Sequence, residues 1–592
     1  MRPSPLGLAL LLCTAPALSE EEVSVRGQKA ASVDPAAPRR RVDGALIEQS
    51  SRGSLLEAVS QETPGLLVTS RGPFAGVSSG AAGGMRLRGL GASPNTEIVV
   101  FEDGIPDMMG LFGHPIPDAY LPAYVASVDV VPGGDSVLFG NGAMGGVIQL
   151  RTRWPTGKDD LRVLGELGSF RTLVLQPGAL GQVGPVQYLA TVRAVHSDGH
   201  RDYAGGDELG TLVKARWRPT ESLTVTVRQR TLVAHTFDPG TASRPFAEHT
   251  VDFDRYNQAL SVDHRSGPWS GKTTLYANLG VHRLYDGFQS HDRLLGFWGE
   301  ETVRVNPMLG VAIGLDARSM GGSGRNLVTG ENYGERAVAL LDPYGQAVFR
   351  PWLWFALVTG ARLHVGRAST MLLGKVGVDA TPWKGLRLAA RMVDNYRDPT
   401  VVELYLPFPV ANPALRSERS RTLECTAGWR STGLDLEVTA YRSEAWDYIR
   451  TLGAFPSFVR TNLDRVAMVG IEGLLRVRLV GPLSARATGS ITNVGPYTAQ
   501  TPSRTLTASL VFDQNPWRVE LSGFYAGGLY QRDYAQDPLE DPWQLDARVG
   551  RLLGEGARAW VTVRNLTNHR YAFLLDYPMP GAGLYAGLEM AR

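Results

Sequence analysis

Residues 129–153, DVVPGGDSVLFGNGAMGGVIQLRTR, divide the chain into two parts of different character. Two short apolar runs, around Val130 and over residues 146–150, predict strands, and the glycines between them permit turns that a Cβ would forbid. Before this segment, helix and strand patterns alternate over short distances. After it, apolar and polar residues alternate with a period of two. The sequence therefore predicts a small mixed domain that ends where a β-barrel begins.

Length and composition limit the classes of protein that this chain can form. Its 592 residues exceed one ordinary soluble core, so we expect at least two structural units. The 68 glycines are typical of a β protein with many tight turns. A formal net charge of +2 gives no electrostatic basis for a nucleic-acid partner, and we predict none.

Residues 1–19 have the pattern of a cleaved secretory signal peptide. Arg2 gives the positive start, LGLALLLC follows as an apolar core, and ALS at residues 17–19 is a small-x-small cleavage site. That core is too short for a transmembrane helix, and no later segment offers about 18 uninterrupted apolar residues. Cleavage leaves Cys425 as the remaining cysteine, so no intrachain disulfide is expected. If this exported chain crosses a membrane, it must do so as a closed barrel.

Residues 20–41 and 42–153 differ in composition. The first region is a polar tail rich in alanine, proline and charge, with a short β-prone island at residues 22–25. The second mixes a helix capped by Ser54 with strands near residues 66–68, 85–89 and 98–101. We therefore predict a mobile tail followed by a small α+β domain.

The region of residues 160–592 alternates cleanly. In LTVTVRQR, residues 223–230, Leu223, Val225 and Val227 share one face, while threonine and arginine take the other. An apolar face opposite a charged one, repeated along the chain, is the pattern of a transmembrane β-barrel with a polar lumen. A soluble sandwich or propeller would instead bury its apolar side chains. Cys425 has the parity of its apolar neighbours and is predicted to face lipid.

The length of this region accommodates about 22 tilted strands of about 10 residues each, and 16 strands with longer loops would also fit. A lumen wide enough to hold a folded domain favours the larger number. The predicted fold is therefore a membrane all-β protein, a 22-stranded antiparallel barrel with an N-terminal α+β plug in its lumen.

Two short motifs match nucleotide-binding or catalytic signatures without their structural context. Residues 140–145, GNGAMG, satisfy G-x-G-x-x-G, but a dinucleotide site needs a helix to follow, and GVIQL predicts a strand. Residues 76–80, GVSSG, satisfy G-x-S-x-G without the flanking strand and helix of a nucleophile elbow. No H-E-x-x-H, C-x-x-C or Walker motif occurs in the sequence. We therefore predict neither an enzyme nor a bound cofactor.

Short motifs along nearly the whole chain resemble those of TonB-dependent outer-membrane receptors, which are active transporters of Gram-negative bacteria. Each motif is moderately specific alone, and their order strengthens the resemblance. The motifs are residues 55–68, LLEAVSQETPGLLV; 86–89, RLRG; 98–106, IVVFEDGIP; 136–150, SVLFGNGAMGGVIQL; 396–405, YRDPTVVELY; 412–418, NPALRSE; 563–571, VRNLTNHRY; and 577–581, YPMPG.

The resemblance implies energy-coupled uptake across the bacterial outer membrane. Residues 42–153 would form the plug and residues 160–592 the barrel. A periplasmic peptide would pair as an added β-strand with a TonB-type energy-transducing protein of the inner membrane. The other implied partners are outer-membrane lipid, the barrel-assembly machinery and a metal-chelate ligand. The candidate TonB box is Glu22, Val23, Ser24 and Val25, and the candidate plug–barrel contacts are Arg86 and Arg88.

This chain departs from the family pattern at three places, and the first is the TonB box, which residues 22–25 match only loosely. Pro132-Gly133-Gly134 stands where the family usually has Arg-Gly-Pro, whose arginine commonly holds the plug to barrel glutamates. The chain ends in Met590-Ala591-Arg592 where the family usually has an aromatic residue that is read during membrane assembly. We therefore expect that other contacts hold the plug to the barrel wall near residue 132.

Ligand capture is expected at residues 107–118, DMMGLFGHPIPD, and at the longer barrel loops. The methionines and the histidine of the plug loop suit a soft metal such as copper, and the alternative is a proline-braced loop that contacts a larger chelate. Aromatic residues of the barrel loops suit bulky chelates, although aromatic residues also girdle barrels at the membrane interface. The substrate-binding candidates are Asp107, Met108, Met109, His114, Phe288, His291 and Trp298.

The resemblance leaves the cargo open. A ferric siderophore is the commonest cargo of the family, and cobalamin or a transition metal such as copper or zinc would use the same mechanism. A passive porin is an alternative from another class, in which loss of residues 20–30 would leave uptake unchanged. A signalling receptor would need an extra folded domain before the plug, which the short tail does not offer.

Overall fold

The computed structural model describes residues 33–70, 74, 84–92, 95–157, 159–453 and 457–592. The predicted signal peptide, the candidate TonB box and the G-x-S-x-G motif lie outside the described residues. The described chain forms a five-stranded sheet with short helices, enclosed by a closed antiparallel barrel of 22 strands. The predicted fold class is therefore confirmed.

The described residues of the plug form seven strands and three short helices. The strands are β1 (Arg40–Asp43), β2 (Leu67–Val68), β3 (Met85–Arg86), β4 (Ile98–Glu102), β5 (Ile105–Asp107), β6 (Val125–Pro132) and β7 (Gly146–Thr152). The helices are α1 (Gly44–Glu48), α2 (Leu55–Gln61) and α3 (Ser136–Phe139), and 3-10 helices cover Pro117–Ala119 and Pro122–Tyr124. The main sheet has the order β1-β6-β7-β4-β5, with β4 and β7 parallel, and β2 pairs separately with β3.

The two faces of the plug sheet have different surroundings, because side chains alternate along each strand. Val128 and Ile148 pack with residues of α1 and α2 in a buried cluster. On the opposite face, Ser127, Gln149 and Arg151 line an open space, whereas Val99, Phe101, Val131 and Val147 are buried in a second apolar cluster. The helices therefore cover one side of this sheet, and the other side is partly packed and partly open.

Local side-chain caps explain two of the plug helices. The helix predicted after Ser54 is confirmed, because the Glu57 N–H donates to Ser54 Oγ (3.3 Å) and the Ser54 N–H donates to Glu57 Oε2 (3.1 Å). Helix α3 was not predicted. Asp135 caps it by accepting from the Leu138 N–H (3.2 Å), and a single turn is too short to show a helical period. Strand β7 follows GNGAMG directly, so the G-x-G-x-x-G motif opens no helix.

The barrel closes through pairing of its last strand with its first. Its 22 strands are β8 (Asp160–Gly168), β9 (Thr172–Val183), β10 (Val186–Ser197), β11 (Gly206–Thr220), β12 (Leu223–Phe237), β13 (Thr250–Ser266), β14 (Trp269–Leu284), β15 (Phe288–Asn306), β16 (Leu309–Asn326), β17 (Asn332–Trp352), β18 (Phe355–Gly366), β19 (Thr370–Trp383), β20 (Leu386–Arg397), β21 (Glu418–Ser431), β22 (Leu434–Leu452), β23 (Val459–Arg478), β24 (Leu483–Asn493), β25 (Arg504–Gln514), β26 (Trp517–Gly527), β29 (Trp543–Gly554), β30 (Ala557–Arg564) and β31 (Gly583–Ala591). The long connections contain helix α4 (Val401–Tyr405) and the hairpin of β27 (Tyr530–Arg532) and β28 (Gln536–Pro538).

The two ends of the barrel differ in the length of their connections. Turns such as residues 221–222, 267–268 and 384–385 join strands at one end, whereas residues 398–417 and 528–542 form long loops at the other. Short turns face the periplasm and long loops face the outside in outer-membrane barrels. Residues 398–417 therefore lie at the extracellular end.

The outward face of the barrel wall is apolar and its inward face is polar. Leu275, Leu295 and Leu423 are 53%, 45% and 49% exposed on the outside, whereas Arg228 is buried in the lumen. Cys425 is exposed on the same outward face as Leu423, as its parity predicts. Among the helices of the described chain, none combines the length and apolarity that crossing a bilayer requires.

Candidate functional site

Arg88 joins the plug to two glutamates of the barrel wall. Its Nε and Nη2 lie 2.9 and 2.8 Å from the two carboxylate oxygens of Glu472, and Nη1 lies 2.5 Å from Glu424 Oε2. The guanidinium also lies over the Tyr441 ring, 4.3 Å from its centroid. All of these groups are buried, so the bidentate geometry satisfies charges that water does not reach.

Arg86 contacts the wall in a different way. It donates to Thr501 Oγ1 and to Gln500 Oε1, both at 3.3 Å. Within the described part of the chain it has no carboxylate at ion-pair distance. The two arginines that the resemblance singled out therefore differ in kind: Arg88 makes ion pairs and Arg86 makes neutral hydrogen bonds.

A wall arginine occupies the region where the plug sequence has Pro132 in place of the usual arginine. Arg391 of β20 donates from Nη2 to the carbonyl oxygens of Pro132 (3.0 Å) and Gly134 (3.1 Å), and it pairs with Glu424. Asn395 donates to the carbonyl oxygen of Gly133 (3.0 Å). The plug backbone is therefore held by side chains of the wall. The alternation of residues along β20 places Arg391 on the inward face, and this pattern was the signal in the sequence that could have identified it.

Asp107 forms an ion pair and a hydrogen bond inside the molecule. Its Oδ1 lies 2.8 Å from Nη2 of Arg230 in β12, and its Oδ2 accepts a hydrogen bond from the Tyr120 hydroxyl (2.7 Å). The carboxylate is 2% exposed. In this state Asp107 joins plug and wall, and a substrate cannot reach it from outside.

Met108 faces a small cavity at the extracellular side of the plug. The cavity has a volume of about 30 Å³ and also contains Met320 of β16 in its lining, with Asn141 and Asp398 nearby. This volume is close to the share of one water molecule in the liquid. The cavity brings two thioethers to one place, and sequence reasoning missed Met320 because it lies far along the chain.

Met109 and His114 point elsewhere. Met109 is fully buried in an apolar cluster with Phe253. His114 is 3% exposed, its Nδ1 lies 2.9 Å from the Pro115 carbonyl oxygen, and burial lowers its pKa to about 4. Among the described residues, no group of three or more histidine, cysteine, aspartate or glutamate side chains is placed to hold a metal ion. The soft-metal candidates of the plug loop therefore do not converge.

The three barrel candidates lie on β15, whereas the prediction placed them in one loop. Phe288 points inward at the extracellular end and is 1% exposed. His291 has the opposite parity and is exposed on the outside. Trp298 lies deeper and lines a space below the plug sheet. These residues do not share a loop, because β15 already begins at Phe288 and its alternation separates residues that are close in sequence. Their role in substrate binding stays a prediction.

Aromatic residues cover the plug loop at the extracellular end. The Phe288 ring lies 4.8 Å from Phe408, 6.1 Å from Tyr333 and 6.1 Å from Phe112 of the plug, measured between centroids. Tyr405 of α4 packs against the larger apolar cluster that contains Phe288. We call Phe288, Tyr333, Tyr405 and Phe408 the extracellular aromatic cluster. It closes the lumen above the plug loop.

Two arginines flank this cluster. The guanidinium carbons of Arg336 and Arg367 lie 5.5 and 5.2 Å from the centroid of the Tyr405 ring. Both side chains are exposed, and neither has a carboxylate partner among the described residues. The cluster and its arginines were not predicted, because strand β17 and two separate loops bring them together.

Residues 33–41, the last part of the region predicted as a mobile tail, are fixed to the barrel wall. Asp34 lies 3.7 Å from Lys375 and 3.5 Å from Arg391. Arg387 donates to the carbonyl oxygen of Pro35 (2.8 Å), and Arg40 pairs with Glu437. Polar contacts therefore hold residues 33–41 against strands of the wall.

A plug domain inside a 22-stranded barrel defines the class of plugged outer-membrane transporters. Family models for the "TonB-dependent Receptor Plug Domain" and for "TonB dependent receptor-like, beta-barrel" match residues 31–147 and 147–566. The chain belongs to the TonB-dependent receptors, which are transporters and not enzymes. A search of curated proteins finds no match.

Solved structures share the fold at low sequence identity. The "Copper transporter OprC" is 16% identical with a TM-score of 0.81, covering 95% of this chain and 100% of its own. The siderophore receptor PirA from Acinetobacter baumannii is 13% identical with a TM-score of 0.79, covering 97% and 100%. The ferric enterobactin receptor PfeA from Pseudomonas aeruginosa is 14% identical with a TM-score of 0.79, covering 95% and 100%.

Proposed function

We propose that this TonB-dependent receptor imports a ferric siderophore, an anionic iron chelate. The observation that carries the proposal is the pair Arg336 and Arg367, which flank Tyr405 at the extracellular end without carboxylate partners in the described chain. Exposed guanidinium groups beside aromatic rings suit an anionic chelate with ring systems, because they combine charge, stacking and directed hydrogen bonds. The siderophore receptors among the structural neighbours support the same assignment.

Capture and delivery use different parts of the molecule in this proposal. A chelate first meets the extracellular aromatic cluster, since Met109 and His114 are 0% and 3% exposed beneath it. Tyr333, at the start of β17, and Phe408, in the loop of residues 398–417, then move apart, and the chelate reaches the plug loop. The chelate would therefore contact the plug candidates Asp107 and Met108 only after it has passed the extracellular aromatic cluster.

Energy for release comes through the tail. Glu22, Val23, Ser24 and Val25 add a β-strand to the TonB-type protein, because main-chain hydrogen bonds tolerate a loose sequence match. Tension then reaches residues 33–41, whose wall contacts are ion pairs and hydrogen bonds that water can replace. Such contacts exchange more readily than an apolar interface.

A binding panel with the purified full-length protein tests the cargo. Ferric enterobactin, ferric chelates without aromatic rings, cyanocobalamin, copper and zinc are titrated by equilibrium dialysis. We expect an anionic ferric chelate to bind, and the double variant R336A/R367A to weaken it at least about tenfold, because two charge contacts are lost. Arg171→Ala, at another extracellular turn, is the matched control. Binding of cyanocobalamin or of free metal alone would show that the proposed cargo is wrong.

A soft metal ion is the second candidate cargo. It is favoured by the cavity of about 30 Å³ between Met108 and Met320, because thioethers select Cu(I). The copper transporter among the structural neighbours adds support. Met108→Leu and Met320→Leu conserve volume and should abolish Cu(I) binding if copper is the cargo. Met109→Leu is the control, since that residue packs in another cluster.

A further inference from the structure

Four arginines lie on the outward face of the barrel wall, at the extracellular end of three neighbouring strands. Below them the same face is apolar, as at Leu423, Cys425 and Ala427 of β21. Side chains alternate along each strand, so residues of this parity face the membrane and not the lumen. We call the four residues the outer arginine patch, and its members are Arg419 and Arg421 of β21, Arg442 of β22 and Arg465 of β23.

The patch lies at the upper boundary of the apolar band. Arg442 is about 10 residues from the periplasmic turn at residues 432–433, and a tilted strand crosses the hydrocarbon region in about 9–11 residues. Arg419 and Arg465 lie in register on either side of Trp446, further toward the outside. Tryptophan is enriched at membrane–water interfaces, because its ring is apolar and its N–H is polar. The guanidinium groups are therefore at the level of the lipid headgroups.

One carboxylate serves two of these guanidinium groups. Glu444 accepts from Nη2 of Arg442 (2.6 Å) with one oxygen and from Nη2 of Arg465 (2.7 Å) with the other. Both arginine side chains are more than half exposed. Arg419 is exposed and has no ion-pair or hydrogen-bond partner in the described part of the chain. The patch therefore offers N–H donors and positive charge beyond those that Glu444 satisfies.

The other acids of this region do not remove the excess. Asp394 pairs with Arg421 (2.7 Å), and Asp447 pairs with Arg416 at the rim of the barrel. Asp464 is exposed and forms no ion pair among the described residues. With the rim residues included, five arginines face four carboxylates. Positive charge therefore remains, and the free N–H donors of Arg419 remain with it.

Another part of the wall lacks such an excess. At the extracellular end of β10 to β14, the outward row alternates imidazole and carboxylate groups and ends in Arg283, which pairs with Asp254 (2.9 Å). The members of this row are His196, Asp207, His235, Asp252 and Arg283. The arginine excess is therefore a feature of β21 to β23 and not of every strand end.

A phosphate group is the chemical complement of the patch. Guanidinium groups bind phosphate through parallel N–H donors, and basic residues at a membrane surface attract anionic headgroups. At this height the outward face contacts the outer leaflet, which in the outer membrane of Gram-negative bacteria is a phosphorylated glycolipid. The lipid therefore presents phosphate groups where the patch presents donors.

We propose that the outer arginine patch is a binding site for the phosphate groups of the outer-leaflet glycolipid. Arg419 is its unpaired contact, and Arg442 and Arg465 share their donors between Glu444 and the lipid phosphate. The site faces the membrane, so it does not depend on the cargo of the receptor.

Native mass spectrometry of the purified full-length receptor in detergent tests the site. Bisphosphoryl lipid A is titrated, and the fraction of receptor that carries the lipid gives the affinity. We expect at least about tenfold weaker binding by the triple variant R419Q/R442Q/R465Q, because three charge-assisted contacts are lost. A triple variant that binds as tightly as the unmodified receptor would overturn the proposal.

Two further variants separate the patch from general effects of charge and folding. The matched control removes three outward arginines at the extracellular ends of other strands and should keep the original affinity; it is R171Q/R283Q/R325Q. The lysine variant R419K/R442K/R465K keeps the charge and, if the glutamine variant does not fold, replaces it in the test. It should bind about threefold more weakly, because lysine lacks the two-donor geometry. An equal loss in the matched control, or no loss in the lysine variant, would contradict a guanidinium site at the patch.

Other lipids identify the group that is recognised. Monophosphoryl lipid A should bind about fivefold more weakly than the bisphosphoryl form, because one phosphate contact is lost. Phosphatidylglycerol, with a single phosphodiester, should bind at least about tenfold more weakly. If phosphatidylglycerol bound as tightly as bisphosphoryl lipid A, the patch would attract any anionic lipid and the assignment to the glycolipid would be wrong.

Discussion

At the scale of single residues, the partners of a buried charged side chain decide what it contributes, because Arg86 and Arg88 are both buried. Arg88 has two glutamates and an aromatic ring around it, and its ion pairs hold the plug to β21 and β23. Arg86, two positions earlier, makes only neutral hydrogen bonds in the described chain. Neighbouring arginines of one motif therefore have unequal effects on plug docking.

Replacing Arg88 should destabilise the plug strongly. Arg88→Leu leaves Glu472 without its cation and removes one of two partners of Glu424, and breaking a buried pair costs about 3–5 kcal/mol. The free energy of plug unfolding, measured by denaturant titration in detergent micelles, should fall by about that amount. Arg86→Leu is the matched control and should cost less, about 1–2 kcal/mol. Equal losses would contradict the assigned difference.

His114 should make plug stability depend on pH. Burial lowers its pKa to about 4, whereas histidine in an unfolded chain titrates near about 6.5. Between these values the unfolded chain binds the extra proton, so stability falls as the pH decreases from about 6.5 to 4. The loss attributable to His114 is about 3 kcal/mol at pH 4. His114→Gln should flatten the plug-unfolding free energy over this range, and an unchanged slope would contradict the assignment.

At the scale of elements, strand alternation separates residues that share a sequence neighbourhood. Strand β15 points Trp298 into the cavity between plug and wall and Phe297 toward lipid, because it pairs in register with β14. The same alternation places Ile148 and Leu150 of β7 under the helices, and Gln149 and Arg151 on that cavity. Which face a residue takes therefore depends on the register of the whole strand.

Arginine substitutions on β15 should show this difference. Phe297→Arg places a charge on the lipid face and should cost up to about 4 kcal/mol near the membrane centre. Trp298→Arg places the same charge in a hydrated space and should be tolerated. The folded fraction is read from heat-modifiable migration in gel electrophoresis after refolding into lipid. Similar folded fractions for the two variants would mean that the strand has another register.

At the scale of the whole molecule, the plug is held by polar contacts around its circumference and stays displaceable. Arg88, Arg391, Arg230 and Asp34 make such contacts at separate places on the wall. The cavity between plug and wall leaves part of one side of the sheet unpacked. This arrangement lets tension move one edge of the plug while the remaining contacts keep it in the barrel.

Deleting residues 22–25 should separate binding from uptake. Without the proposed β-strand, the TonB-type protein cannot bind the tail of the receptor. Uptake of radiolabelled ferric enterobactin should therefore fall to background, while surface binding remains. Deleting residues 27–30, a segment of the same length in the same tail, is the matched control. Undiminished uptake after the first deletion would place the TonB box elsewhere.

The amino-acid sequence by itself determined the fold class, because the alternation of residues 160–592 and the mixed patterns before residue 153 are local consequences of burial on one face. It also determined Ser54 as a helix cap and Cys425 as an outward residue. Tertiary structure decided the site. The extracellular aromatic cluster, the Met108–Met320 cavity and the cavity between plug and wall join residues from separate strands and loops that are distant in sequence. Such contacts arise from strand register and loop packing, which a single sequence does not encode locally.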